Sequence, residues 1–262
     1  MFKRFKDRLS KIRLKVWLRV TLLLLPVFFI ISFVEKKSAE RLCKSLTIRI
    51  EEHYDNHFLD EKDIQNLMTL RGKEFVVGES LKNIDLNELE ARIKSNPFVD
   101  DAEVHKDLEG NLAVDVLPCQ PMARIVVSGG NDYYISNKGK LLPMSQKFTA
   151  RVLIVDGPFV GKLIRTQLDT NAITKPYFDL ITRIEGDEFL KMQVHQMTIN
   201  SSGEVDLYSQ VGNHVIELGE PSDLDTKIRY IKLFYNEILP AKGWNYYNKI
   251  CLKYENQIIC EQ

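Results

Sequence analysis

Five histidines and four cysteines are scattered through 262 residues, and few stand at spacings on which chemistry depends. His53 and His57 flank Asp55 in "HYDNHF" (53–58), the types a metal ion takes as ligands. The pair leaves a strand pattern and enters a loop, which would splay the rings, and no third ligand has natural spacing. Both read as solvated polar residues. Asp100, Asp101 and Glu103 in "DDAEV" offer paired carboxylates for acid–base work. Strand alternation sets Asp101 and Glu103 opposite Ala102 and Val104, on the solvent face of a half-buried sheet. Tyr133 and Tyr134 follow a turn, and alternation sends one of them inward, so core packing is favoured over a sugar-stacking platform. No Gly-rich phosphate loop, HExxH, GxSxG or CxxC occurs. We therefore assign no catalytic, cofactor-binding or metal-binding residue. The remaining pair, Cys251 and Cys260, stands nine positions apart in "ICLKYENQIIC" (250–260). Two thiols alone make a poor zinc site, and the spacing is not that of a redox motif. Whether they bridge depends on which side of a membrane they lie.

Lys plus Arg and Asp plus Glu balance at 36 each, but the balance hides an asymmetry. Residues 1–19 carry eight basic residues against one acid, Asp7, which leaves 28 basic and 35 acidic residues in the rest. The bulk is thus mildly acidic, which argues against nucleic acid as its partner. After a basic tail (1–15) comes "VWLRVTLLLLPVFFIISFV", Val16–Val34. Nineteen residues at about 1.5 Å each reach roughly 28 Å, close to the thickness of a bilayer's hydrocarbon core. Arg19 lies near enough to one end to snorkel, and Pro26 is tolerated in a membrane helix. The run has no polar face, as a buried soluble helix would need. A cleaved signal peptide fits less well, because the hydrophobic stretch is long and no small-x-small site precedes "EKKSAERL". The Lys/Arg excess places the N-terminus in the cytoplasm and the 228 residues after Val34 across the membrane.

A charged juxtamembrane linker (35–44) leads into a small α+β pattern over 45–119. "LTIRIEE" (46–52) alternates as a strand. "FLDEKDIQNLMTLRG" (58–72) reads as a helix with Asp60 at its N-cap, and "IDLNELEARIKSNP" (84–97) as a second, with Asp85 and Glu88 in capping-box spacing and Pro97 beyond its end. Two strands, 98–106 and 111–117, follow around the turn "DLEGN". The order is β-α-α-β-β. From residue 120 to 262 the pattern is mainly short strands between turns, interrupted by helices at 174–184 and 222–239 and closed by the strand pair 249–260.

This order is similar to that of the FtsQ/DivIB family of cell-division proteins: a basic cytoplasmic tail, one transmembrane helix, a POTRA domain and a mixed β domain. The residues that carry the resemblance are "IDLNELEARIKSNPFVDDAEVHKDLEGNLAVDV" (84–116), "QPMARI" (120–125) at the domain hinge, "YYISNKGKLLP" (133–143) and the Leu-basic-Tyr of "LKY" (252–254). Two departures stand out: "LPCQP" replaces an acidic residue near the end of the POTRA domain, and Cys251 occupies the place of an Asp. The resemblance implies a non-enzymatic scaffold of the inner membrane at the division septum. It implies FtsB-like and FtsL-like coiled-coil partners and, through them, the septal peptidoglycan synthase. It places Lys253 and Tyr254 in the partner-binding surface. Ile258 joins them because the terminal strands end near a sheet edge, and such edges bind by strand addition. Two other classes compete. An outer-membrane assembly factor would call for further POTRA repeats or a barrel, and a wall enzyme for a catalytic constellation; neither is evident.

If "EN" (255–256) makes a two-residue turn, Cys251 faces Cys260 as a non-hydrogen-bonded pair, at a Cα separation of about 4.5 Å that suits a disulfide. An oxidising periplasm would close it. Two free, packed thiols are the alternative. The topology itself is directly testable. A reporter fused after Gln262 should be active only if it works outside the cytoplasm; activity confined to a cytoplasmic reporter would overturn the orientation.

Overall fold

The computed structural model describes residues 42–51, 57–69, 76–107, 109–254 and 256–262. The expected tail 1–15, the transmembrane helix Val16–Val34 and His53 lie outside the described residues. Among the described residues no helix is long and apolar enough to cross a membrane. The chain divides into two units. One contains the segment up to Ile50, Glu61–Ser95 and Ala102–Val116; the other contains Glu51–Asp60, Asn96–Asp101 and Leu117–Gln262.

In the first unit, β1 (Leu46–Ile50) is followed by α1 (Glu61–Leu67), α2 (Leu86–Lys94), β2 (Val99–Lys106) and β3 (Leu112–Pro118), the β-α-α-β-β order expected. The sheet order is β1-β3-β2, and β1 runs parallel to β3 with Leu46 opposite Leu112 and Ile48 opposite Val114. A parallel neighbour requires a crossover, and the two helices supply it. Asp85 caps α2, its carboxylate accepting from the amides of Asn87 and Glu88 at 3.0 and 3.2 Å. The capping box is only half closed, because the Glu88 carboxylate is paired with Arg92 one turn on. Ile64, Leu89 and Ile93 are buried on the helices, and Val104, Leu112 and Val114 are buried on the strands. Asp101 and Glu103 are exposed, as alternation requires. The end of the expected linker is already structured. Cys43 is buried, and its amide donates to the Glu79 carbonyl at 2.8 Å.

The second unit is built on one mixed sheet. Its strands are β4 (Pro121–Ile125), β5 (Tyr133–Ser136), β6 (Leu141–Pro143), β7 (Leu153–Asp156), β8 (Val194–Ile199), β9 (Val205–Ser209), β10 (Val215–Gly219), β11 (Lys249–Cys251) and β12 (Ile259–Glu261). They lie side by side in the order β12-β11-β10-β9-β8-β7-β4-β5-β6. The parallel pairs β7/β8 and β10/β11 are each joined through helices. α3 (Val160–Leu163), α4 (Lys175–Glu185) and α5 (Glu188–Gln193) join the first pair. α6 (Leu224–Leu233), a π-helical turn (Phe234–Ile238) and α7 (Leu239–Lys242) join the second. The widened turn has a cause in the sequence. Pro240 lacks an amide donor, and its ring would clash with the carbonyl four residues back, so the helix opens just before it.

One sheet face packs against these helices. Ile125, Val155, Met197, Leu207, Ile216 and Ile250 meet Tyr177, Ile181, Ile231 and Phe234 in a single core. The opposite face is polar over most of its width. At β5 it is covered by a smaller core of Phe58, Cys119, Tyr134 and Leu142. Tyr134 is the inward member of the tyrosine pair, fully buried, and its hydroxyl accepts from the Ala150 amide at 3.2 Å. Cys119, from the departure "LPCQP", therefore serves as a packing residue.

Gly157 turns the chain out of β7 with φ +104°, and a Cβ there would lie 2.2 Å from the Ile199 carbonyl oxygen. Both the backbone angle and the contact exclude a side chain. Gly157→Ala should lower the stability of this unit by about 2 kcal/mol or more, read as a lower urea midpoint at unchanged slope.

Candidate functional site

Alternation makes β10 and β11 two-faced. Ile216 and Ile250 point to the helices, while Glu217 and Cys251 point away from them. β12 closes the sheet in the register Lys249 opposite Glu261, Ile250 opposite Cys260 and Cys251 opposite Ile259. The expected register is therefore corrected by one residue. The chain between the strands runs from Leu252 to Ile258 instead of turning at 255–256. Because side chains alternate, a slip of one residue puts Cys251 and Cys260 on opposite faces. Cys260 packs against the main core, and Cys251 is buried on the other face beside Glu217. Cys43, Cys119, Cys251 and Cys260 are free thiols in this arrangement.

The long connection has its own anchors. The Leu252 amide donates to the Glu217 carbonyl at 2.8 Å, and the Leu252 side chain enters the main core. Asn256 takes a left-handed conformation, φ 56°, which Asn accepts more readily than most residues. Its side-chain oxygen accepts from the Tyr230 hydroxyl at 3.4 Å, which ties the loop to α6. Ile258 is half-buried against the core.

Between this loop, α6 and the end of β10 lies a groove of about 660 Å³, lined by Glu204, Gly219, Lys227, Tyr230, Lys253 and Tyr254 among others. Gly219, at φ +74°, lets Lys253 cross close to the backbone; a Cβ there would sit 2.9 Å from Lys253 Cγ. The Lys253 ammonium pairs with Glu204 at 3.1 Å, and Glu204 accepts from Asn200 at the same distance. The Asn200 hydrogen bond and then the Lys253 ammonium hold the Glu204 carboxyl below its usual range, and the Glu204 carboxylate raises Lys253 in return. Lys227 donates to the carbonyls of Leu218 and Glu220 at 2.8 and 2.6 Å, closing the end of β10. Tyr254 is 59 % exposed at the lip of the groove. Of the three residues assigned to partner binding, the structure brings Lys253 and Tyr254 together at this groove. It places Ile258 on the core side of the loop. Glu204 and Tyr230 were missed, because both lie far from the C-terminus in sequence.

Among the described residues β12 has a neighbour only on its β11 side. It is three residues long, and its side chains are Ile259, 37 % exposed, Cys260 and the exposed Glu261. Lys249 on β11 pairs with Glu217 at 2.9 Å and with Glu261 at 3.8 Å, fixing the last strand from the polar face. The other chemical candidates do not assemble. His57 stacks edge-on to Phe148 at 5.5 Å, Asp100 pairs with Lys138 at 2.6 Å, and no group of three His, Cys, Asp or Glu could hold a metal among the described residues. An edge strand beside a groove with a charged pair and an exposed tyrosine can bind a protein segment.

Comparison with known proteins gives two matches to family models, one described as FtsQ/DivIB, C-terminal related, over residues 120–261, and one as a POTRA-like domain over 41–117. The chain is also similar to the cell division protein FtsQ of Geotalea daltonii, 21% identical over 188 residues that cover 69% of this chain and 67% of that protein. The register correction carries its own test. Thiol labelling of the unreduced, unfolded protein should modify all four cysteines, and in the folded protein half-exposed Cys260 should react before buried Cys251. A species linking Cys251 to Cys260 by mass mapping would restore the tight hairpin.

Proposed function

We propose, for a chain that belongs to the FtsQ/DivIB family, a non-enzymatic role as a cell-division scaffold that binds its partners at the terminal sheet edge. The observation that carries this reading is the geometry of β12: a short last strand, paired among the described residues on one side only, beside a groove that holds Lys253 and Tyr254. An extended segment laid against β12 gains main-chain hydrogen bonds along the strand, and its side chains meet alternate pockets. Tyr254 supplies an aromatic anchor at low entropic cost, and the Lys253–Glu204 pair offers a fixed charge pattern for selectivity. In this reading the occupants are coiled-coil division proteins of the FtsB and FtsL type, and they link the scaffold to the septal peptidoglycan synthase. The N-terminal span would hold the protein in the inner membrane with both folded units outside the cytoplasm.

The similarity to a named cell division protein supports this class over outer-membrane assembly. Tyr254→Ala tests the site with little risk to the fold, because the ring is mostly exposed. The expected outcome is a thermal midpoint within a degree or two of the parent and roughly tenfold weaker pull-down of the coiled-coil partner. Unchanged pull-down with the fold intact would remove Tyr254 from the site.

A further inference from the structure

His214 begins the approach to β10 and is 2 % exposed. Its Nε2 lies 2.6 Å from the Tyr235 hydroxyl, which also accepts from Gln193 Nε2 at 3.3 Å. Gln193 itself donates to the Val211 carbonyl at 3.0 Å, and the Ser209 hydroxyl donates to the His214 carbonyl at 3.0 Å. These bonds join α5, β9, the turn before β10 and the π-helical turn in one buried network. His214 Nδ1 is left out of it. Among the described residues it is the buried side-chain nitrogen or oxygen with no hydrogen-bond partner.

The space beside Nδ1 is closed by backbone. Gly212 has φ +88°, and a Cβ on it would lie 2.8 Å from Nδ1 and 3.4 Å from the Trp244 carbonyl oxygen. A neutral imidazole satisfies the site with one atom unpaired, whichever tautomer it adopts. A protonated ring would be a buried cation with a donor that has no acceptor. Phe234 lies against His214 in a T-shaped arrangement at 5.6 Å, and Tyr235 is tilted at 5.4 Å.

On the neighbouring helices, Lys191 of α5 pairs with Glu185 at 2.8 Å and Lys232 of α6 pairs with Asp187. Tyr235 is the titratable group against the imidazole, and burial raises its phenol to about 12. Glu237 and Lys242, on the same helical stretch, are exposed. Tyr208 on β9 belongs to the opposite sheet face, paired in register with Val215. Tyr247 packs on Phe234 with ring centres 6.1 Å apart, one residue away from the turn held by His214. Burial lowers the His214 pKa, and no carboxylate raises it.

The position of this network gives it a consequence. The Val215 amide, next to His214, donates to the Asn248 carbonyl at 3.0 Å, the first bond by which the terminal segment joins the sheet. Trp244 and Tyr247, which lead into β11, pack on Tyr235 and Phe234. We propose that His214 is a proton-operated latch, which when neutral holds the base of the β10–β11 junction closed and when protonated releases the terminal β11–β12 pair. The proton comes from solvent and is taken up at the unpaired nitrogen as the junction opens. Because the closed form disfavours the proton, the opened form binds it at the ordinary pKa near 6.5. Closure is therefore fully stable above that value. It weakens as pH falls through it, by up to tenfold per pH unit in the opening equilibrium, until the ring titrates in the closed form. The proposal concerns the fold of the terminal pair and holds whatever binds there.

Amide hydrogen exchange on the full chain, corrected for intrinsic rates, tests it between pH 7 and pH 5. Opening of β11 should increase up to tenfold per unit below about pH 6.5, while the β4–β5 pair changes less. His214→Phe and His214→Gln, neither of which titrates, should both remove that pH dependence. In the parent protein the His214 imidazole should stay neutral, by its NMR shift, at pH values where a free imidazole is already protonated. An unchanged pH slope in both variants would overturn the latch. So would an equal slope at β4–β5, or a His214 imidazole that titrates at the ordinary value near 6.5.

Discussion

The parallel seam between β10 and β11 is the constraint on which the terminal region depends. Two parallel strands cannot be joined by a tight turn, so the chain must cross a helical layer to return beside β10. Helices α6 and α7, with the π-helical turn between them, provide that crossing. The seam is held by backbone bonds at both ends, from Val215 to Asn248 and from Leu252 to Glu217. Ile216 and Ile250 pack together on its core side, and the Lys249–Glu217 ion pair lies on its polar side. Once the seam is set, the direction of β12, the side on which it lies free, and the course of the loop that carries Lys253 and Tyr254 are all fixed.

A free edge invites unwanted pairing, and this one is managed by the usual physical means. β12 is short, its last residue is acidic, and Lys249 stands on the strand behind it. The polar face continues inward as a row of Asp156, Thr198, Asp206 and Glu217 across neighbouring strands. Burial, and then the charge of Glu217, raise the Asp206 carboxyl. Lys249, through its hydrogen bond, lowers Glu217. The row thus keeps one carboxylate firmly ionised beside the terminal pair, next to buried Cys251. Selectivity at such an edge comes from what flanks it. The groove with an exposed tyrosine and a paired lysine flanks this edge.

Much of the fold was legible in the sequence because local signals and tertiary demands agreed. The Asp85 cap, the alternation in 98–106 and 111–117, and the helical stripe beginning near Leu224 all describe elements that exist. A tight turn at "EN" predicts a terminal register one residue away from the one the strands adopt. The parity of the apolar residues held the better signal. Ile250, Leu252, Ile258 and Cys260 all face the core, so even positions must pair with even positions, as Ile250 and Cys260 do. Pro240 likewise announced the widened turn before it. The partners of Lys253 and of His214 had no local signal at all. Glu204 and Tyr235 reach them only through the order of strands in the sheet, which no short stretch encodes.

The central claim is that an extended partner segment adds to the free edge of β12. Hydrogen exchange at the amides of Ile259–Glu261, in the full chain with and without a saturating coiled-coil division partner, tests it most directly. Strand addition predicts at least tenfold slower exchange at the β12 amides that face away from β11, with the opposite edge strand, β6, unchanged. Unaltered exchange along β12 with the partner bound would contradict the account and move the binding surface elsewhere on the protein.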